Sequence, residues 1–144
     1  MCARGPALAR LWATRLVDDF FVSGLLQETA LQLVTSAAWP CHLRGLRTAL
    51  RRNRDFLAAA LAKHLGRDPV SVPAGGLHLW LRLPDDCRDL GAARCLAAAG
   101  VLAIPGCNAF PAEPSGNYLR LSFASIEAEW VDEAAAAVAA VPRD

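Results

Sequence analysis

Metal-ligand spacing is missing from this sequence. Five cysteines, Cys2, Cys41, Cys87, Cys95 and Cys107, are scattered without a C-x-x-C pair, and none of the three histidines falls at ligand spacing beside them. That spacing excludes the common zinc sites. An odd number of cysteines without the long apolar core of a secretory leader suits reduced thiols, so a cytoplasmic location is the expectation. No window of about 20 residues is apolar enough to span a bilayer. A dominant charge is missing as well. The net charge is +1, so no global field draws the chain to nucleic acid. Lysine is nearly absent. Lys63 stands alone beside fourteen arginines, a skew that, with the abundant alanine, reflects a GC-rich coding sequence rather than chemistry. Internal repeats are lacking, and the only low-complexity stretch is the alanine run near the C-terminus.

What remains is enough for a sizeable core: 144 residues, 54% of them apolar. Pro6 to about Thr35 reads as helix, with apolar residues at helical spacing from Leu8 through Leu16, Phe20 and Phe21 to Val34. A break is expected at Val22-Ser23-Gly24, with Ser23 capping the next helix. Pro40 restricts Trp39 to extended conformations, so a new section is expected after it. His42 to about Leu65 is a long helix with Arg44, Arg47, Arg51, Arg52 and Arg54 on a solvated face, stopped by Gly66. A basic helix also invites a nucleic-acid reading, which the balanced charge disfavours.

Short strands follow. Val70 to Val72 and Leu77 to Leu83 flank the turn Pro73-Ala74-Gly75-Gly76, with Leu77, Leu79, Leu81 and Leu83 on one face and His78, Trp80 and Arg82 on the other. Leu90 to Ala99 is a helix ended by Gly100, and Val101 to Ile104 a strand. A loop then runs from Pro105-Gly106 to Gly116. Ile126 to Val141 is a closing helix with Ser125 as its expected N-cap. This order implies an α+β two-layer domain: a short antiparallel or mixed sheet covered by helices.

The last strand, Asn117-Tyr118-Leu119-Arg120-Leu121-Ser122-Phe123, alternates apolar and polar residues. Arg120 therefore points away from the face that carries Leu119, Leu121 and Phe123. Two readings follow from the pattern: a solvated strand arginine, or a planar, permanently charged group held rigidly enough to grip a carboxylate with two parallel hydrogen bonds.

Three linked stretches bear on that choice: Val72-Pro73-Ala74-Gly75-Gly76-Leu77-His78-Leu79-Trp80-Leu81-Arg82-Leu83-Pro84, Gly100-Val101-Leu102-Ala103-Ile104-Pro105-Gly106-Cys107-Asn108-Ala109-Phe110, and the Arg120 strand. In this order and spacing they resemble the C-terminal part of the fold-type I, pyridoxal 5'-phosphate (PLP)-dependent aminotransferases of classes I and II. The likeness extends over nearly the whole chain, including His42-Leu43-Arg44. It is greatest to the MocR-like branch of the GntR family, in which such a domain follows a winged helix-turn-helix DNA reader. The resemblance implies that Arg120 binds the substrate α-carboxylate and that Gly76 and Asn108 belong to the substrate site. It implies that residues 1–39 are a helical, inter-domain remnant of the large domain and residues 40–144 the small C-terminal domain. It also implies a homodimer in the intact protein, an amino-acid or 2-oxo-acid ligand, and DNA contact only through an upstream domain.

PLP chemistry needs a lysine to hold the cofactor and move the Cα proton. Lys63, in Ala-Leu-Ala-Lys-His-Leu-Gly, does not resemble the family's Ser-x-x-Lys segment, which lies just before a stretch like Gly5-Pro6-Ala7-Leu8-Ala9-Arg10-Leu11. The expectation is a C-terminal part of an amino-acid transaminase or MocR-like regulator that binds no PLP alone and is not catalytic alone. The alternatives are a stand-alone carboxylate-binding or dimerisation module without PLP, and a nucleic-acid binder using the arginine helix.

Overall fold

The computed structural model describes residues 4–18, 22–66, 70–111 and 113–142. Cys2, Phe20 and Phe21 lie outside the described residues. The elements are α1 (Pro6–Asp18), α2 (Gly24–Thr35), α3 (Trp39–Leu65), β1 (Val70–Ser71), β2 (His78–Arg82), α4 (Asp89–Ala98), β3 (Ile104–Pro105), β4 (Tyr118–Ser122) and α5 (Val131–Ala139), with 3-10 turns at Gly106–Ala109 and Ala128–Trp130. The chain divides into two compact units, 1–44 and 45–144.

The first unit is built from α1, α2 and the start of α3. Among its described residues, Leu8, Leu11, Trp12, Leu25, Leu26 and Leu31 are all exposed, and α2 buries nothing. Ser23 stands at the N-cap of α2 but makes no side-chain cap bond. Its carbonyl instead accepts the Gln27 N–H, and Gln27 Nε2 donates to the Val22 carbonyl. Trp39-Pro40 does not close a section. Both residues belong to the first turn of α3, where an N–H has no partner inside the helix and proline's fixed φ is already helical.

The second unit is an α+β domain of two layers. Its sheet has the order β1-β2-β4-β3, and every pair is antiparallel. The period of two holds: Leu79, Leu81, Leu119 and Leu121 are buried, with Leu57 and Leu61 of α3, Ala92 and Leu96 of α4, and Val131, Ala135 and Val138 of α5 packed into the same core. Leu77 drops out of that face and is 44% exposed. Sheet-like bonds still run one residue past β2 at each end, Leu83 N–H to the Asn117 carbonyl and Phe123 N–H to the Leu77 carbonyl.

Two further expectations are corrected. Val101 does not enter a strand, because it completes the end of α4. With Gly100 at φ +81°, the Val101 N–H reaches the Leu96 carbonyl at 2.8 Å and the Gly100 N–H reaches that of Ala97. This Schellman arrangement satisfies orphan helix carbonyls, and β3 shrinks to two residues. The closing helix begins late. A 3-10 turn occupies Ala128–Trp130, so Ser125 caps nothing, and Asp132 and Glu133 are the acids of the first turn of α5.

Candidate functional site

The face of the sheet opposite the core is organised around Arg120. In register, Arg120 lies opposite Trp80 of β2 on one side and Ile104 of β3 on the other. Such pairs share a face with Cβ atoms about 5 Å apart. Neither neighbour can accept a hydrogen bond from a guanidinium, since indole only donates. Arg120 Nε is buried and has no partner among the described residues. Buried polar groups are nearly always paired, and one left alone carries a penalty of about 1–3 kcal/mol.

Beside it stands an aromatic cluster. Trp80 stacks on Tyr118 with ring centres 5.3 Å apart, and Phe110 tilts against both at 6.0 and 5.7 Å. Phe110 is delivered by the turn that follows β3, and three contacts place that turn. β3 pairs with β4. Gly106 lies so close to β4 that an added Cβ would meet Tyr118 Cβ at 2.6 Å. The Cys107 N–H donates to Asp89 Oδ2 at 2.8 Å. Asp89, in the first turn of α4, is only 6% exposed, the one buried carboxylate among the described residues.

Asn108 sits in this same turn, exposed, within reach of the Cys107 thiol. Partial burial, and then the nearby Asp89 carboxylate, push the Cys107 thiol above its ordinary range. It stays protonated at neutral pH and is a poor nucleophile. Gly76 is elsewhere, in the turn before β2 at φ +92°, a conformation that favours glycine. It lines a cleft with Arg47, Arg51, Arg54 and Phe123 that neither Arg120 nor Asn108 lines. The structure thus brings Asn108 onto the turn next to the Arg120 strands and leaves Gly76 on a separate concavity. Sequence reasoning missed Asp89, because an acid in a first helical turn is ordinary. Its tie to Cys107 joins residues 18 positions apart.

The pattern for aminotransferase class I and II matches residues 6–138. The chain belongs to the class I and II aminotransferase family. YdfD of Bacillus subtilis, an uncharacterized HTH-type transcriptional regulator, is 31% identical over 121 residues, covering 83% of this chain and 24% of its own. The aminotransferase tdiD of Emericella nidulans is 34% identical over 124 residues, covering 81% of this chain and 28% of its own. Among solved structures, LysN, an α-aminoadipate aminotransferase of Thermus thermophilus complexed with N-(5'-phosphopyridoxyl)-L-leucine, shares the fold with a TM-score of 0.77 at 24% identity, over 95% of this chain and 35% of its own. The chain spans about a quarter to a third of the length of these proteins and corresponds to the C-terminal part of their fold.

The family is PLP-dependent, and the residues present here do not fit that cofactor. A Schiff-base lysine has to sit in a pocket beside phosphate and pyridine partners. Lys63 is 66% exposed at the end of α3 and donates to Asp132 Oδ1 at 2.8 Å, an acceptor it shares with His64. It lines neither the Arg47–Arg51 cleft nor the clefts beside Trp130 and Cys87.

Proposed function

We propose that this chain is the part of an aminotransferase-family protein that holds the substrate's α-carboxylate, with Arg120 as the gripping residue. The observation that carries this reading is the buried, unpartnered Nε of Arg120 on a strand whose inward neighbours are in the core. A carboxylate bound there accepts two parallel hydrogen bonds and removes the penalty of the unpaired donor. The ligand is an amino acid or 2-oxo acid. Asn108, on the adjoining turn, supplies a further amide to the same group, whereas Gly76 lines the separate concavity and takes no part in this grip. Residues 1–39 act as the segment between domains, and their exposed apolar helices are covered in a homodimer of the intact protein.

The chain does not transaminate alone, because Lys63 is placed for an ion pair rather than an imine. Relatives of both kinds, a transaminase and an HTH-type regulator, support two homes for the same grip. In the regulator, DNA contact belongs to another domain, and ligand binding biases closure. The test is calorimetric titration of the chain with alanine and pyruvate, and with ethanolamine as a probe without the carboxylate. Arg120→Ala should abolish carboxylate binding while the fold persists. Unchanged affinity in that variant sinks the reading. A second reading, a carboxylate-binding or dimerisation module that works without PLP, shares this test. Borohydride reduction with PLP and an amino acid should then leave Lys63 unlabelled.

A further inference from the structure

A second concavity of the 45–144 unit is built from positive charge. Helix α3 carries Arg47, Arg51 and Arg54 at i, i+4 and i+7, so all three side chains rise from one helical face. With Gly75, Gly76 and Phe123 they line a cleft of about 290 Å³. Arg54 ties helix to turn: Nη1 donates to the Pro73 carbonyl at 2.9 Å, while Nε and Nη2 meet Asp55 at 2.8 Å. Asp55 is the single acid of α3, and Arg54 already occupies it. Arg47 and Arg51 make no hydrogen bond or ion pair among the described residues. Like charges at this spacing repel. The turn adds no obstruction, since a Cβ on Gly75 or Gly76 would meet nothing within 4 Å.

We propose that this cleft is an oxyanion site for a phosphate group, free or carried by a small monoester. Two uncommitted guanidinium forks match a dianion with three terminal oxygens, whereas a lone carboxylate occupies only one fork. A single concavity concentrates the charge on one group, while a nucleic-acid duplex needs it spread along a backbone. Lys63 does not line the cleft, so it is no seat for a cofactor imine, and Arg120 does not line it either. The site stands independently of the carboxylate grip.

The experiment titrates the full chain with inorganic phosphate, methyl phosphate, acetate and a DNA duplex, at constant ionic strength balanced with chloride. The variants are Arg51→Ala, the double variant Arg47→Ala with Arg51→Ala, and Arg52→Ala. Alanine favours the helix, and circular dichroism checks that it persists. The expected result is one saturable phosphate site, weakened about tenfold for each guanidinium lost from the cleft. Arg52→Ala, which removes the same charge outside the cleft, should change affinity less than about twofold, the scale of a screened surface charge. Tighter methyl phosphate than inorganic phosphate identifies an esterified ligand, and the reverse order identifies free phosphate. Both orders support the site. Absence of saturation, equal loss in Arg52→Ala, acetate binding as tight as phosphate, or a preference for the duplex each overturns it. Arg120→Ala should leave phosphate binding unchanged, so failure here and failure of the carboxylate grip read out separately.

Discussion

Replacing Gly106 by alanine tests whether the turn after β3 and the strand carrying Arg120 pack as one piece. The added methyl would lie 2.6 Å from Tyr118 Cβ and 3.0 Å from the Tyr118 carbonyl oxygen. Both atoms are at the root of a paired strand residue, so neither can swing aside like a side-chain tip. Overpacking of this kind costs about 1–3 kcal/mol. Alanine narrows the unfolded ensemble and offsets about 0.4–1 kcal/mol of that where its backbone conformation is permitted. Gly106 is not one of the positive-φ glycines, so the offset applies. The net expectation is a loss of about 1–2 kcal/mol, or about 4–16 °C in Tm for a unit of about 100 residues. Thermal and urea unfolding followed by tryptophan fluorescence measure it, with Trp80 stacked on Tyr118 as a local reporter. Gly75→Ala is the control, because its Cβ enters open space at an ordinary φ and should leave stability unchanged or slightly raised. Displacing Tyr118 also disturbs Arg120 two residues on, so carboxylate affinity should fall with stability. An unchanged midpoint in Gly106→Ala, or an equal loss in Gly75→Ala, would refute the reasoning.

Three other outcomes follow from the same packing. Asp89→Ala orphans the Cys107 N–H and should destabilise by about 1–3 kcal/mol, with Asp89→Asn losing less; denaturant midpoints measure both. Hydrogen bonds from Lys63, then His64, hold the Asp132 carboxyl below its ordinary value of 3.8. A depressed folded pKa means that this contribution is present above pH 3.8 and fades as pH falls through the lower folded value, so Asp132→Asn should flatten the acid limb of the stability profile. Cys107, pushed up by burial and Asp89, should alkylate with iodoacetamide at pH 8 more slowly than exposed Cys41 and Cys95; mass spectrometry of timed samples reads the order.

The parts of the fold that were legible in the sequence are those in which one period dominates. Leu79, Leu81, Leu119 and Leu121 alternate, and all four are buried. Gly66 and Gly100 stop α3 and α4 at positive φ, as glycine after a helical run implies. What stayed hidden depends on partners distant in the chain or on competing local rules. Pro40 obeys two rules, restricting its predecessor and fitting the first helical turn, and the helix won. Val101 is β-branched and reads as strand, yet the Schellman bonds of α4 claim its N–H. Of the candidate site, alternation showed only that Arg120 faces away from the core, and its role as a grip rests on the resemblance. The buried state of its Nε, the Trp80–Tyr118 stack and the Asp89 tie were not, because each arises only when β2, β4 and α4 meet.

The direction of Arg120 is a property of the core rather than of Arg120 itself. A register slip of one residue along β4 would turn Arg120 inward and expose Leu119 and Leu121. Each buried leucine is worth about 1.5–3 kcal/mol relative to exposure, and an unpaired buried guanidinium adds a penalty of its own. The two leucines alone therefore disfavour the slip by about 3–6 kcal/mol before any hydrogen bond is counted. The outward direction that the proposed carboxylate grip requires of Arg120 is thus enforced by apolar residues on the core side of the strand. Substitutions such as Leu119→Ala should weaken carboxylate binding even where the chain still folds, and Arg120→Lys should keep the register while losing the bidentate geometry. Measuring affinity and stability together in these two variants separates the frame from the grip: the first should lose both, and the second affinity alone.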